Sequence, residues 1–230
     1  MAQGKERVYG GVSAQQRREQ RHAALIDAGL ELFGTLGYPN VPVKMICDEA
    51  GLTQRYFYES FTDREALLNA VYRSCFEDLR DAAATAALEY LTEVPDVVAE
   101  GAVPEEHIRP LARAAFGALL STLTTDRRRA RVILIEVVGV SPALEQLRIG
   151  AIHQWAELII GFGAPGSSDP MHRLAAIGLV GAITQLLVDW QMAQVSPISP
   201  DAGPELFTVD AIHDVITEML VGTYEHVFRS

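Results

Sequence analysis

Apolar residues in this chain recur at intervals of three and four, and no segment shows the alternating pattern of a half-buried strand. In the first helical run the repeat is Leu25, Gly29, Leu32, Phe33 and Leu36. A chain patterned this way buries one stripe of each helix against other helices, so the expected fold class is all-α, with about nine helices. Residues 1–12 hold three glycines and few apolar side chains, and they read as an N-terminal arm. Ser13 and Gln16 have the spacing of a capping box that starts the first helix. Gly37 ends it, and Pro39 prevents its return.

Two very short helical segments follow. The first runs from Val43 to Ala50 and is closed by Gly51, a residue that accepts left-handed geometry without penalty. The second is expected to be capped by Thr53 and to run to about Ser60. Thr62-Asp-Arg-Glu65 reads as another capping box, opening a long helix through Leu67, Leu68, Val71, Tyr72, Phe76 and Leu79. Further on, Pro95 and Pro104 bracket a loop, with Pro110 in the first turn of the next helix. Asp126 starts an arginine-rich helix, and Ser141-Pro142 starts another, which breaks between Gly161 and Asp169. The most apolar helix runs from Pro170 to Gln194. Three prolines mark a loop over residues 196–204, and a last amphipathic helix covers residues 208–227.

Two short helices joined by a glycine turn and buttressed by a longer one form a helix-turn-helix. Ile46, Cys47, Ala50 and Leu52 must face inward, and the small size of Cys47 and Ala50 permits close approach. The second short helix can then lie in a DNA major groove. On it Gln54, Arg55 and Tyr58 share an exposed arc of roughly 100°, while Phe57 points back at the first helix. Gln suits adenine and Arg suits guanine as bidentate partners. Tyr56 and Tyr58 offer hydroxyls to phosphate and rings to a thymine methyl. Thr53 and Lys44 stand near helix starts, where phosphate is readily held. Arg17, Arg18 and Arg21 occupy about one turn of the first helix, placed either to touch flanking backbone or to form a solvated face.

The net charge of −11 argues against nucleic acid only if it is spread evenly, and it is not. Residues 1–65 carry a net −1 and residues 66–230 a net −10. Phosphate contact depends on local cations rather than on the total.

Three stretches, Leu32-Phe33-Gly-Thr-Leu-Gly-Tyr38, Val43-x-x-Ile46-x-x-x-Ala50-Gly51-Leu52-Thr53 and Tyr56-Phe57-Tyr58-x-x-Phe61-x-x-Arg64-Glu65-x-Leu67-Leu68, resemble the N-terminal domain of TetR-family transcriptional regulators. The likeness covers about fifty residues. The later helices resemble that family's regulatory domain more loosely, through Asp126 to Arg131, Ser141-Pro142, and Leu179 to Leu187. The sequence departs from the family at Pro42, where Ser or Thr usually caps the second helix. It departs again at Arg55, in place of a small residue, and at Arg64, in place of lysine, where a phosphate contact is still expected.

The resemblance implies a DNA-binding domain over residues 13–62 and a larger effector-binding and dimerisation domain over 63–230. It implies a homodimeric, ligand-responsive repressor on a palindromic operator, working in the cytoplasm. An activator or architectural DNA binder without an effector is the alternative. Gly178, Gly181 and Ala182 permit close helix packing across a dimer, with Ile212, Ile216, Met219, Leu220 and Tyr224 on the final helix. Gln185 and Asp189 interrupt the most apolar helix, so a buried Gln185 would pair across that interface or line a cavity. With Phe116, Glu136, Trp155 and Trp190 they are the candidate effector contacts, for an apolar small molecule.

Other chemistry finds little support. Gly161-Phe-Gly163-Ala-Pro-Gly166 follows a helix rather than a strand, which argues against a nucleotide loop. Asp169-x-x-His172 and Asp210-x-x-His213 lie at helix starts, so no metal and no cofactor are expected. Cys47 and Cys75 read as reduced core residues. No nucleophile elbow, zinc-protease signature or phosphate loop is present, and the expected protein is not an enzyme. Arg127, Arg128, Arg129 and Arg131 read as a salt-bridged helix start, with a second DNA patch as the alternative. The longest apolar window, Leu174 to Val188, is too short for a membrane span, and no secretory signal opens the chain.

Overall fold

The computed structural model describes residues 13–94, 103–193 and 207–229. Among these residues the fold is all-α, with nine helices and no strand. They are α1 (Ala14–Leu36), α2 (Val43–Glu49), α3 (Gln54–Ser60), α4 (Arg64–Glu93), α5 (Glu105–Thr125), α6 (Arg127–Arg131), α7 (Pro142–Gly163), α8 (Pro170–Ala193) and α9 (Val209–Thr223). A 3-10 turn over Tyr38–Asn40 links α1 to α2, and α6 and α9 each run on into a π-helical turn, Val132–Glu136 and Tyr224–Phe228.

The helix ends follow local chemistry. The Ser13 hydroxyl accepts the Gln16 N–H at 3.1 Å, and the Gln16 side chain accepts the Ser13 N–H at 2.8 Å, which is the expected reciprocal box. Gly37 and Gly51 sit at φ 85° and 65°, a region closed to most side chains. Two caps and one proline differ from expectation. Thr53 stands at the α3 N-cap but its side chain makes no capping bond. Asp63, not Thr62, caps α4, accepting the Ala66 N–H at 2.7 Å. Pro110 lies inside α5, past the first turn, where it forfeits one backbone bond. Helix α7 continues through Gly163, so the break that follows is shorter than the glycines suggest. The proposed arm (1–12) and most of the two proline-bounded loops lie outside the described residues.

One buried cluster welds the N-terminal helices. Phe33 of α1, Ile46 of α2, Phe57 of α3 and Leu67, Leu68 and Val71 of α4 are all fully buried in it. The same cluster takes in Val132, Val137 and Leu144 from the later chain. Helices α4, α5, α7, α8 and α9 build the rest, with α4 against α5 and α7 against α8 as major pairings. By length and mean hydropathy (1.5) α8 is long and apolar enough to cross a membrane, contrary to the reading from the fifteen-residue window. Its Ala176, Leu179, Ile183, Leu187 and Trp190 nevertheless pack inside the protein.

Candidate functional site

The α2–α3 pair has the geometry its sequence predicts. Ile46 and Cys47 are buried, Gly51 turns the chain, and the Leu52 N–H bonds back to the Cys47 carbonyl at 2.9 Å. Phe57 is wholly buried, in contact with the Phe61 ring. That anchor fixes the rotation of α3, so Thr53, Gln54, Arg55 and Tyr58 are exposed on the opposite side, Tyr58 at 59%. Arg55 is held in an extended pose by Glu59 at 2.9 Å. Tyr56 is half-buried beneath the Arg21 guanidinium, 4.4 Å from its ring centre. Arg21 and Tyr56 therefore form one unit at the α1–α3 edge. Arg17 and Arg18 are exposed one turn earlier. Lys44 is exposed, and its bond to Asp48 at 2.6 Å raises its pKa further, keeping it cationic.

Arg64 is tied into the protein itself. It is half-buried and donates from Nη1 to the carbonyls of Val41 (2.6 Å) and Tyr38 (3.2 Å), with its guanidinium over the Tyr38 ring. It ties the α1–α2 connection to the start of α4.

A cavity of about 740 Å³ lies among α4, α5, α7 and α8. Phe116, Trp155 and Gln185 line it, as expected of effector contacts. Glu136, Asp189 and Trp190 do not. Trp190 is buried in the core beneath Arg127. Asp189 accepts the Gln185 side chain at 2.8 Å. Gln185 itself is exposed, so the premise that it is a buried polar group does not hold. The histidines that raised the question of metal are engaged elsewhere: His172 bonds Ser167 Oγ at 2.7 Å, and His213 Nε2 meets the Arg113 carbonyl at 2.9 Å.

Residues 25–71 match the family model described as bacterial regulatory proteins, tetR family. The N-terminal helices are similar to the TetR family over that segment. No curated protein matches the chain. Among solved structures, the fatty acid degradation regulator FadR of Bacillus halodurans is similar over 88% of this chain and 95% of its own, with TM-score 0.63 and 15% identity. FadR of Bacillus subtilis, in complex with stearoyl-CoA, covers 87% and 97% with TM-score 0.55 and 16% identity. A bacterial regulatory protein in the tetR family from Rhodococcus RHA1 covers 87% and 96% with TM-score 0.56 and 19% identity. At these identities the likeness is one of fold. It extends beyond the matched segment to the helices around the cavity. The matched segment is described as that of bacterial regulatory proteins, and the similar folds are those of regulators.

The N-terminal helices are bolted to the rest of the chain by a charged seam, in which the arginine run meets Glu136 and nearby acids as expected. Arg128 pairs with Glu31 of α1 and with Asp126. Arg131 donates to the Thr35 carbonyl and to Glu136 Oε1, each at 2.7 Å. Glu136 is 8% exposed, and its other oxygen accepts the Tyr38 N–H at 2.7 Å. Its buried charge is thus fully occupied holding the end of α1. The arginine run reads as the salt-bridged helix start. Arg129 also reaches Asp78, and Asp126 is held below the usual carboxylate range by the hydrogen bond from Arg128. At Gly34 a Cβ would stand 2.7 Å from the Arg128 backbone, so this glycine permits the close approach of α1 and α6.

Proposed function

We propose that the chain is a homodimeric, effector-responsive repressor that reads a palindromic operator in the cytoplasm, with residues 13–62 contacting DNA and 63–230 dimerising and sensing. The observation that carries the DNA-reading part is the rigid presentation of Gln54, Arg55 and Tyr58 opposite the buried Phe57. Gln54 and Arg55 meet base edges, Tyr58 and Tyr56 meet a thymine methyl or phosphate, and Lys44, Thr53, Arg17, Arg18 and Arg21 grip the flanking backbone. Arg64 contributes by holding the α1–α2 turn in place.

Dimerisation is supported by α8. Met171, Leu174, Gly178, Gly181 and Gln185 are exposed at three- and four-residue spacing along one stripe, and Met192 is exposed seven residues further on. A Cβ at Gly178 or Gly181 would meet nothing in the protomer, so both leave room for a second helix. On α9 the exposed Val215 extends the surface. Ile212 and Ile216, expected there from sequence, are buried within the protomer instead. A twofold partner sets two α3 helices about 34–36 Å apart, the spacing of successive major grooves.

Effector response is supported by the cavity and by α4. Leu67, Leu68 and Val71 of α4 pack on the DNA-binding helices, while Tyr72, Phe76 and Leu79 line the cavity. A ligand that fits only one setting of α4 shifts the spacing of the recognition helices by its differential affinity. The fatty-acid regulators of similar fold support a lipophilic effector.

Selection of bound fragments from genomic DNA by the purified protein tests this reading. Wild-type protein is expected to enrich a palindrome, and Arg55→Ala to lose about 1–3 kcal/mol and its preference at one symmetric base pair. Enrichment of no sequence, or unchanged preference in Arg55→Ala, removes the recognition assignment.

A further inference from the structure

The lining of the cavity specifies the effector's chemistry more closely. The chain has 30 acidic residues against 19 basic ones, yet the cavity wall contains no carboxylate. Its charged side chains are Arg80 of α4 and Arg148 of α7. Arg148 bonds Glu145 through Nε and Nη2 at 3.1 and 3.0 Å, which leaves Nη1 without a partner among the described residues. Arg80 likewise uses Nε and Nη2 on Asp81.

Tyr72 is the second observation. It lines the cavity at 3% exposure, and its hydroxyl has no hydrogen-bond partner among the described residues. The other hydroxyls of the wall are engaged, Thr184 with the Val180 carbonyl and Tyr224 with that of Val103. Burial pushes the Tyr72 phenol up to about 12, against the opposing pull of nearby Arg148, so it stays a neutral donor. The hydroxyl is open to the cavity rather than sealed in the core, so an acceptor inside the cavity can take its hydrogen bond.

We infer that the cavity takes a lipophilic monocarboxylate, its carboxylate on Tyr72 and Arg148 and its hydrocarbon body in the apolar chamber beyond them. Arg80, two turns along α4 from Tyr72, adds a second positive charge to the same wall. The inference rests on the effector reading above and fixes the head group that reading leaves open. A carboxylate accepts from both donors, and its bond to the remaining Arg148 N–H is charge-assisted. A coenzyme A thioester carbonyl would bring no charge to that position.

The test is calorimetric titration of the full chain with dodecanoate, 1-dodecanol and dodecanoyl-CoA. Dodecanoate is expected to bind at least about tenfold more tightly than the alcohol. Lengthening the acid from ten to fourteen carbons is expected to tighten binding about fourfold per methylene. Arg148→Gln and Tyr72→Phe are each expected to bring the acid toward the alcohol. Alcohol affinity should fall less than acid affinity in both variants, and a ligand-free melting temperature close to wild type shows that the cavity is still folded. Equal binding of acid and alcohol by the wild type overturns the head-group assignment while leaving the effector reading standing. So does an acid preference that survives in both variants, or binding of the thioester alone. Binding of none of the three, with no rise in melting temperature, removes the effector reading and this inference with it.

Discussion

At the scale of single residues, burial governs the chemistry of both cysteines. Cys47 and Cys75 are 2% and 1% exposed, and burial pushes both thiols up, Cys75 to about 12. A raised folded-state pKa leaves stability intact below the unfolded thiol's pKa. Above it the unfolded chain ionises first, so stability falls with rising pH up to the folded value. At pH 8 the native protein is expected to show almost no rapid reaction with an aromatic disulfide reagent, and two thiols per chain in denaturant. Immediate native-state labelling of either thiol would contradict this packing. Residue identity gave good guidance wherever chemistry is local. Phe57 was legible as an anchor because its neighbours at 54, 55 and 58 are polar or amphipathic. Glu136 was legible as a partner of the arginine run but not as the acceptor of the Tyr38 N–H, 98 residues away, because no local pattern encodes that meeting.

At the scale of elements, the caps make separable predictions. Asp63→Ala removes a bond that starts α4 and is expected to cost about 1 kcal/mol in denaturant unfolding. Thr53→Ala removes no capping bond, and its unfolding midpoint should stay within about 0.5 kcal/mol of wild type. Any effect of that variant belongs to DNA affinity. Asp126 caps α6, and Arg128 keeps its pKa low, so its stabilisation is present above the ordinary carboxylate range. It fades as pH falls through the lowered folded value. The drop in melting temperature between pH 7 and pH 3 should therefore be smaller in Asp126→Asn than in wild type. Helix periods, glycine stops and Ser13 capping were readable because they depend on a few consecutive residues. Pro110 was misplaced because α5 begins five residues before it and absorbs the lost bond.

At the scale of the whole molecule, the exposed α8 stripe predicts assembly. Leu174 is 66% exposed, and Leu174→Glu is expected to yield a monomer in sedimentation at micromolar concentration, with operator affinity lost alongside. A dimer unaffected by this change would move the interface elsewhere. Sequence could not separate this surface from the core, since an apolar side chain facing a partner, a cavity or a neighbouring helix obeys the same period. For the same reason Phe116 and Trp155 were recognisable as cavity residues while Trp190 was not. Only packing distinguishes them.

Helix α4 also limits how this protein can be taken apart. A graft of residues 13–62 onto another regulator would leave Phe33 and Phe57 without Leu67, Leu68 and Val71, the side chains that close their core. A transplantable reading head must include the first two turns of α4. It must also supply a host surface with cations where Arg128 and Arg131 now hold Glu31 and Thr35. The exposed side chains of α3 can therefore be exchanged one by one, but the helix-turn-helix cannot be swapped as a cassette.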